Sequence, residues 1–174
     1  MKKTSLQNLC YISIFVAVMA VMAQISIPMP LGVPMTMQTF AVALTGAVLD
    51  AKKSSVAVFI YILLGAVGAP IFTGGNGGFS VIAGPTGGYI LSFPLFAFVV
   101  GLGADKGSKM WLAAGLIVGC AINLSSGMLW LSVVTQRTVQ EAFFAAVLPF
   151  VPVELIKLAM VFAIGPRLKK AVRY

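Results

Sequence analysis

Two charged residues, Glu154 and Lys157, lie within an otherwise apolar segment near the end of the sequence. Charges inside such segments are costly and usually mark a substrate path or an internal ion pair. Three residues apart on a helix, the two side chains share one face and can neutralise each other. Alternatively, Lys157 can pair with a ligand carboxylate while Glu154 accepts N–H donors from a polar head group. Free N–H groups at a helix beginning at Pro152 would then also attract the anion.

A second unusual feature is the glycine-rich stretch at residues 70–90, PIFTGGNGGFSVIAGPTGGYI, which contains seven glycines and two prolines between apolar segments. Irregular backbone at membrane depth persists only where it is buried in protein or lines a cavity. The stretch therefore predicts a shaped pocket or lid, with Asn76, Thr86 and Tyr89 as its hydrogen-bonding groups. A flexible outer loop is the alternative.

The composition indicates which kind of protein must position these residues. Of the 174 residues, 60% are hydrophobic and only 9% are charged, and the mean hydropathy is +1.04. Soluble domains carry more charge, so the chain is a polytopic membrane protein. Because a membrane-spanning helix needs about 20 residues, the length predicts six spans in a single integral membrane domain, residues 1–174.

The apolar segments and their breaks place these spans along the chain. Prolines between residues 28 and 34 predict a rigid outer turn after the first span. The second span opens with a polar group that includes Gln38, a further candidate for ligand binding. The six predicted spans are residues 9–27, 35–50, 55–69, 84–103, 111–134, and 152 into the basic tail.

The basic residues predict the orientation in the membrane. Of 12 Lys and Arg residues, Lys157 lies inside a span, Arg137 lies on one side, and the other ten, including Lys2, Lys3 and Arg173, lie on the opposite side. Cytoplasmic loops carry the excess of Lys and Arg, so both termini are expected in the cytoplasm. The long glycine-rich loop between spans three and four then faces outward. The net charge of +8 reflects this topology and does not indicate nucleic-acid binding.

The sequence lacks the residue patterns that are typical of metal sites, catalytic sites and nucleotide-binding sites. It contains no histidine, and Cys10 and Cys120 have no metal-ligand spacing. Residues 101–109, GLGADKGSK, only imitate a phosphate-binding loop, because no lysine directly follows the second glycine of the motif. We therefore expect no metal site, no catalytic residues and no ATP hydrolysis by this chain.

Three motifs resemble one family over essentially the whole chain: GGNGGFSVIAGPTGGYI, VPMTMQTF at 33–40, and PFVPVELIK at 149–157. They are similar to the biotin-specific, substrate-binding S components (BioY type) of energy-coupling factor (ECF) transporters. That family usually reads Pro-Gly-Asp-x-x-Lys in the last span. Here Val153 and Glu154 replace the Gly and the Asp before Lys157.

The resemblance implies a six-helix membrane bundle with an outward-facing biotin site beneath the loop between spans three and four. It implies Glu154, Lys157, Tyr89 and Asn76 as ligand contacts, which with Thr86 and Gln38 make up the predicted site. It further implies a transmembrane coupling subunit and two cytoplasmic ATPases as partners in a prokaryotic cell membrane. Biotin is then the transported ligand, ATP is used only by the partners, and this chain is not an enzyme.

Two other functions remain open from the residues alone. Pocket polarity does not fix the ligand, so the chain could be an S component for a different small vitamin. A membrane-embedded enzyme acting on lipid is the alternative from another class, but it would need a nucleophile, metal ligands or a general base. For that last role the sequence offers only Glu154.

Overall fold

The structure is a computed structural model, and it describes residues 5–29 and 33–172. Helix α5 lies at the centre and packs against α2, α3 and α6, while α8 packs on α2. Nearly every residue of α2 is buried. Within the described ranges the helices are α1 Ser5–Ala23, α2 Gln38–Val48, α3 Ala51–Ala66, α4 Phe79–Ala83, α5 Gly87–Asp105, α6 Lys109–Thr135, α7 Val139–Ala146 and α8 Val151–Val172.

The connection between α1 and α2 differs from the prediction. Strands β1 (Ser26–Ile27) and β2 (Met35–Thr36) form an antiparallel ladder in residues that the sequence assigns to spans one and two. A residue before proline avoids the helical region, which explains why Ile27, followed by Pro28, is extended. Residues 30–32 of the predicted rigid turn lie outside the described residues.

The predicted spans agree best with the structure in the second half of the chain. Helices α5 and α6 begin and end within about three residues of spans four and five. Helix α3 begins four residues before the predicted start at residue 55. The reason is that the Asp50 carboxylate accepts a hydrogen bond from the Lys53 amide at 2.9 Å and caps the helix.

Two short helices, α4 and α7, were not predicted. Helix α7 begins at a capping box in which the Thr138 hydroxyl and the Glu141 carboxylate each accept a backbone N–H of the other residue. Helices α7 and α8 meet at 55°. The start of α8 at Val151 agrees with the prediction to one residue.

The structure is that of a mostly helical membrane protein. Among the described residues, α1, α5 and α6 are long and apolar enough to cross a membrane, and the bent pair α7–α8 is a fourth candidate. Helices α2 and α3 have 11 and 16 residues. At about 1.5 Å per residue they are shorter than the roughly 30 Å hydrocarbon core.

The ends of the helices fall into two groups. Asn8, Lys53 and Val172 line one small cavity, so the starts of α1 and α3 and the end of α8 lie together. At this end the Asp105 carboxylate accepts the Ala51 amide at 3.1 Å and the Lys169 ammonium at 2.8 Å. Lys2, Lys3 and Arg173, which contribute to the predicted charge asymmetry, lie outside the described residues.

Candidate ligand-binding cavity

A cavity of about 360 Å³ lies at the opposite end of the bundle, among α2, α5, α6 and α8. Its volume falls within the range of roughly 300–1,000 Å³ that is usual for small-molecule sites. The apolar lining residues are Pro28, Val33, Pro34, Phe72, Val81, Ile90, Phe93, Leu124 and Phe150. The polar lining residues are Ser26, Thr36, Gln38, Thr39, Thr73, Asn76, Thr86, Tyr89, Asn123 and Glu154. Five of the six predicted site residues therefore line one cavity, and Lys157 does not.

Glu154 and Lys157 form a buried ion pair. The Lys157 Nζ lies 2.6 Å from Glu154 Oε1, and both residues are only 3% exposed. The same ammonium donates to the Thr36 carbonyl at 2.6 Å and to the Thr39 hydroxyl at 3.0 Å. An ammonium has three N–H groups, so all the donors of Lys157 are engaged. The contact of Lys157 with a ligand carboxylate stays a prediction.

The second oxygen of Glu154 has a different environment. Oε1 accepts hydrogen bonds from Lys157 and from the Thr39 hydroxyl at 2.8 Å. Oε2 is buried and has no hydrogen-bond partner among the described residues. A buried acceptor without a donor is costly. A ligand N–H placed in the cavity would remove that cost.

The predicted cluster of free amides at the start of the last span is wrong in part. The Val151 amide donates to the Val147 carbonyl at 3.1 Å, and the Glu154 amide donates to the Phe150 carbonyl at 2.9 Å. The turn after α7 leads directly into α8 and uses these two donors. Neither is available to an anion in the cavity.

Gln38 connects three parts of the cavity wall. Its Nε2 donates to the Tyr61 hydroxyl at 2.7 Å, and that hydroxyl donates to the Ile71 carbonyl at 3.0 Å. Its Oε1 accepts from the hydroxyls of Thr36 and Thr73 at 3.1 and 3.2 Å. Gln38 therefore holds the beginning of the glycine-rich stretch against α2 and α3.

Gln24, the residue that follows α1, binds the same stretch and was not predicted as a site residue. Its Oε1 accepts the Gly75 amide at 2.8 Å, and its Nε2 donates to the Phe72 carbonyl at 3.2 Å. Residues Thr73–Gly75 form a single 3₁₀ turn. This turn, which contributes Thr73 and Gly74 to the cavity wall, is thus held on two sides.

Each of the other three predicted side chains donates a hydrogen bond to a backbone carbonyl. Asn76 Nδ2 donates to the Thr73 carbonyl at 2.8 Å, and the Thr86 hydroxyl donates to the Val81 carbonyl at 3.2 Å. The Tyr89 hydroxyl donates to the Ala146 carbonyl at 2.8 Å. The Tyr89 ring stacks on that of Phe150 with centroids 6.4 Å apart. It therefore attaches α5 to the corner between α7 and α8.

The glycines near Tyr89 have a packing role that the sequence pattern did not indicate. A Cβ atom on Gly127 would overlap the Tyr89 ring, and one on Gly88 would overlap the Trp130 side chain. Trp130 also donates from its indole nitrogen to the Gly84 carbonyl at 2.9 Å. Close approach of α5 and α6 sets the position of the ring at the cavity wall.

The lining of the cavity has many hydrogen-bonding groups and a single carboxylate. Within the described ranges, no three His, Cys, Asp or Glu side chains are grouped so as to hold a metal ion. Glu154 is the one carboxylate among the lining residues. The arrangement suits a small, largely apolar ligand with N–H donors.

Comparison with known proteins identifies the family. The sequence profile of the BioY family matches residues 1–174. The chain belongs to the BioY family. It is 37% identical to the biotin transporter BioY2 of Lactococcus lactis, over 100% of this chain and 96% of the relative. It is 41% identical to the probable biotin transporter BioY of Pyrococcus horikoshii, over 91% and 93% of the two chains.

A solved structure shows the same fold. The crystal structure of an S-component for biotin from an ECF-type ABC transporter superposes with a TM-score of 0.88 at 25% sequence identity. The match covers 97% of this chain and 95% of that one. The biotin transporter BioY of Thermotoga maritima is 40% identical over 95% of this BioY-family chain and 97% of its own length. The resemblance drawn from GPTGGY and the lysine of the last span is confirmed.

Proposed function

We propose that this chain captures biotin in the cavity and serves as the substrate-binding membrane subunit, the S component, of an ECF transporter. Its membership of the BioY family and relatives named biotin transporters support this function. A transport role agrees with the expectation that the chain is not an enzyme. The observation in the cavity that carries the proposal is the buried, unpartnered Oε2 of Glu154.

The chemistry of biotin matches the cavity. Biotin has an apolar bicyclic ring and valeryl chain, and its ureido group has two N–H donors and one acceptor. Apolar side chains from several elements can surround the ring and chain, while Glu154 Oε2 accepts a ureido N–H. Gln38, Asn76, Thr86 and Tyr89 complete the proposed site from the wall of the cavity.

Lys157 supports the site from behind Glu154. Its ammonium has three acceptors and holds Glu154 Oε1, so that Oε2 is left for the ligand. A ligand carboxylate would have to displace one of these acceptors to reach Lys157. The affinity for biotin amide, which lacks the carboxylate charge, distinguishes the two roles.

The proposed topology has six membrane crossings in one integral domain, residues 1–174. Helices α1, α2, α3, α5, α6 and α8 each connect the basic end of the bundle with the cavity end. Both termini would lie in the cytoplasm, and the cavity and glycine-rich stretch would face outward. The short α2 is almost fully buried, so its neighbours shield it from lipid. The chain would reside in the plasma membrane of a prokaryote.

Transport requires partners under this proposal. A transmembrane coupling subunit and two cytoplasmic ATPases would supply the energy, since no phosphate-binding motif is found in this sequence. The chain alone would then bind biotin but not complete an ATP-driven cycle.

Equilibrium binding of labelled biotin to the purified chain in detergent tests the function. We expect saturable binding of labelled biotin. Unlabelled biotin should displace the label, whereas thiamine and riboflavin should not. Glu154→Gln should weaken binding, because truncating a buried charged partner costs about 2–5 kcal/mol. At about 1.4 kcal/mol per tenfold, that is roughly 30-fold to several-thousand-fold.

Glu141→Gln is the matched control, since this carboxylate is exposed on α7 and does not line the cavity. It should bind biotin as the unmodified chain does. Preference for another vitamin over biotin would assign the cavity to a different ligand. An absence of any biotin binding by folded protein would refute the proposed function.

A further inference from the structure

We propose that Asn123 is a second hydrogen-bond acceptor for the ligand and makes the cavity select ligands with two N–H donors. This inference rests on the proposed function and adds a specificity-determining residue to it. Asn123 lies on α6, is only 1% exposed, and lines the cavity. The sequence pattern did not indicate it.

The orientation of the Asn123 amide follows from its neighbours. Its Nδ2 lies 3.0 Å from the Tyr89 carbonyl oxygen and 2.7 Å from the Ser92 hydroxyl oxygen. The Ser92 hydroxyl donates its own proton to the same Tyr89 carbonyl at 2.9 Å. Both neighbours can therefore only accept from Asn123. The side chain must direct its NH₂ group at them, which uses both of its N–H donors.

The carbonyl oxygen of the amide, Oδ1, is left without a partner. No residue in the described ranges donates a hydrogen bond to it. Most buried polar atoms in proteins have a partner. Both N–H groups of Asn123 are bound to acceptors on α5, and the side chain lines the cavity. An N–H group of a ligand in the cavity can therefore supply the missing hydrogen bond to Oδ1.

Two acceptors on cavity-lining residues thus receive no hydrogen bond from the described residues: the buried Glu154 Oε2 on α8 and Asn123 Oδ1 on α6. Helices α6 and α8 pack against each other. A cyclic urea has two N–H groups on opposite sides of one carbonyl and can satisfy both acceptors at once. A lactam or a cyclic carbamate has one N–H and leaves one of the two acceptors unpaired. The pair of acceptors therefore favours a ureido head group.

The test uses biotin and its two cyclic carbamate analogues, in each of which one ring N–H is replaced by oxygen. For the unmodified chain, each carbamate should bind at least about tenfold more weakly than biotin. Asn123→Leu should weaken biotin binding at least about tenfold. One of the two carbamates lacks the N–H that would face Asn123. The Asn123→Leu variant should bind that carbamate as tightly as the unmodified chain does.

Two further variants separate ligand contact from packing. Ser92→Ala removes a neighbour of the amide but keeps Oδ1, so it should retain the preference for biotin over both carbamates. Ser92→Cys, which also keeps Oδ1 and leaves a weak acceptor beside Nδ2, should retain it as well. If Asn123→Leu does not fold, Asn123→Ala takes its place in the comparison.

If Asn123→Leu lowers the affinity for biotin and for both carbamates by the same factor, the inference is overturned and Asn123 has a purely structural role. A carbamate that the unmodified chain binds as tightly as biotin would also overturn it, whatever the variants do. Failure of biotin itself to bind would instead count against the proposed function.

Discussion

Gln24 accepts a hydrogen bond from the Gly75 amide at 2.8 Å across 51 residues of sequence. Together with its bond to the Phe72 carbonyl, this contact ties the end of α1 to the 3₁₀ turn in the cavity wall. The sequence gives Gln24 no obvious partner. In the fold it is a fastening for the glycine-rich stretch.

We expect Gln24→Ala to speed up the dissociation of biotin. Two neutral hydrogen bonds of about 1 kcal/mol each are lost, which corresponds to about tenfold or more in rate. Stopped-flow measurement of biotin release from the purified chain checks this. Gln140→Ala, at an exposed position on α7, is the control. An unchanged dissociation rate in Gln24→Ala would show that the turn is held without this side chain.

The buried ion pair predicts a loss of stability in one single variant and its recovery in a double variant. Lys157→Met leaves the Glu154 charge buried and uncompensated, which costs about 3–5 kcal/mol. Glu154→Gln combined with Lys157→Met removes both charges and should recover most of the free energy of unfolding. Unfolding in mixed detergent measures both.

Lys53→Met is a matched control for that experiment. Asp50 and Lys53 form an ion pair with the same spacing and the same 2.6 Å distance, but their side chains are 37% and 38% exposed. An exposed pair contributes at most about 1 kcal/mol. Comparable losses in Lys53→Met and Lys157→Met would contradict the role of burial.

Biotin amide separates the two roles of Lys157. The amide keeps the ureido group and loses the negative charge of the valerate. Because the Lys157 ammonium already has three acceptors, we expect Lys157→Met with Glu154→Gln to lose affinity for biotin and for the amide by similar factors. A loss confined to biotin, measured by equilibrium competition, would establish the direct contact with the ligand carboxylate that the sequence predicts.

The proposed topology predicts which residues are accessible from outside the cell. Single cysteines at Lys53 and Asn76, with Cys10 and Cys120 replaced, would be treated with a membrane-impermeant thiol reagent in intact cells. The cysteine at 76 should react, because Asn76 lies at the cavity end and is exposed. The cysteine at 53 should react only after the membrane is opened. Labelling at 53 in intact cells would refute the orientation.

The helices were predicted well where the local sequence signals at their ends were strong. An apolar segment lies between the glycines before α5 and the basic loop after it. The helix begins and ends close to these two boundaries. The same signals were weak around Thr138 and at the strand residues 26–27 and 35–36. There a capping box and a two-residue strand pair decide the structure. Both are short, so hydropathy over a long window does not detect them.

The residues that line the cavity were predictable where a residue type was unusual in its surroundings. Glu154 stood out as a carboxylate in an apolar segment, and Asn76 and Tyr89 lay in a patterned glycine stretch. Asn123 and Gln24 are single polar residues without such a pattern. Their hydrogen bonds are made to partners 31 to 51 residues away in sequence, and only the folded chain brings these together.

The close approach of α5 and α6 also restricts how this sequence can diverge. A methyl group on Gly127 would occupy the space of the Tyr89 ring, so the two positions cannot change independently. A descendant that gains a larger residue at 127 must first, or at the same time, lose the bulk of the ring at 89. Variation at these two sites across descendants of this chain should therefore be correlated, with a small residue at one wherever the other is large.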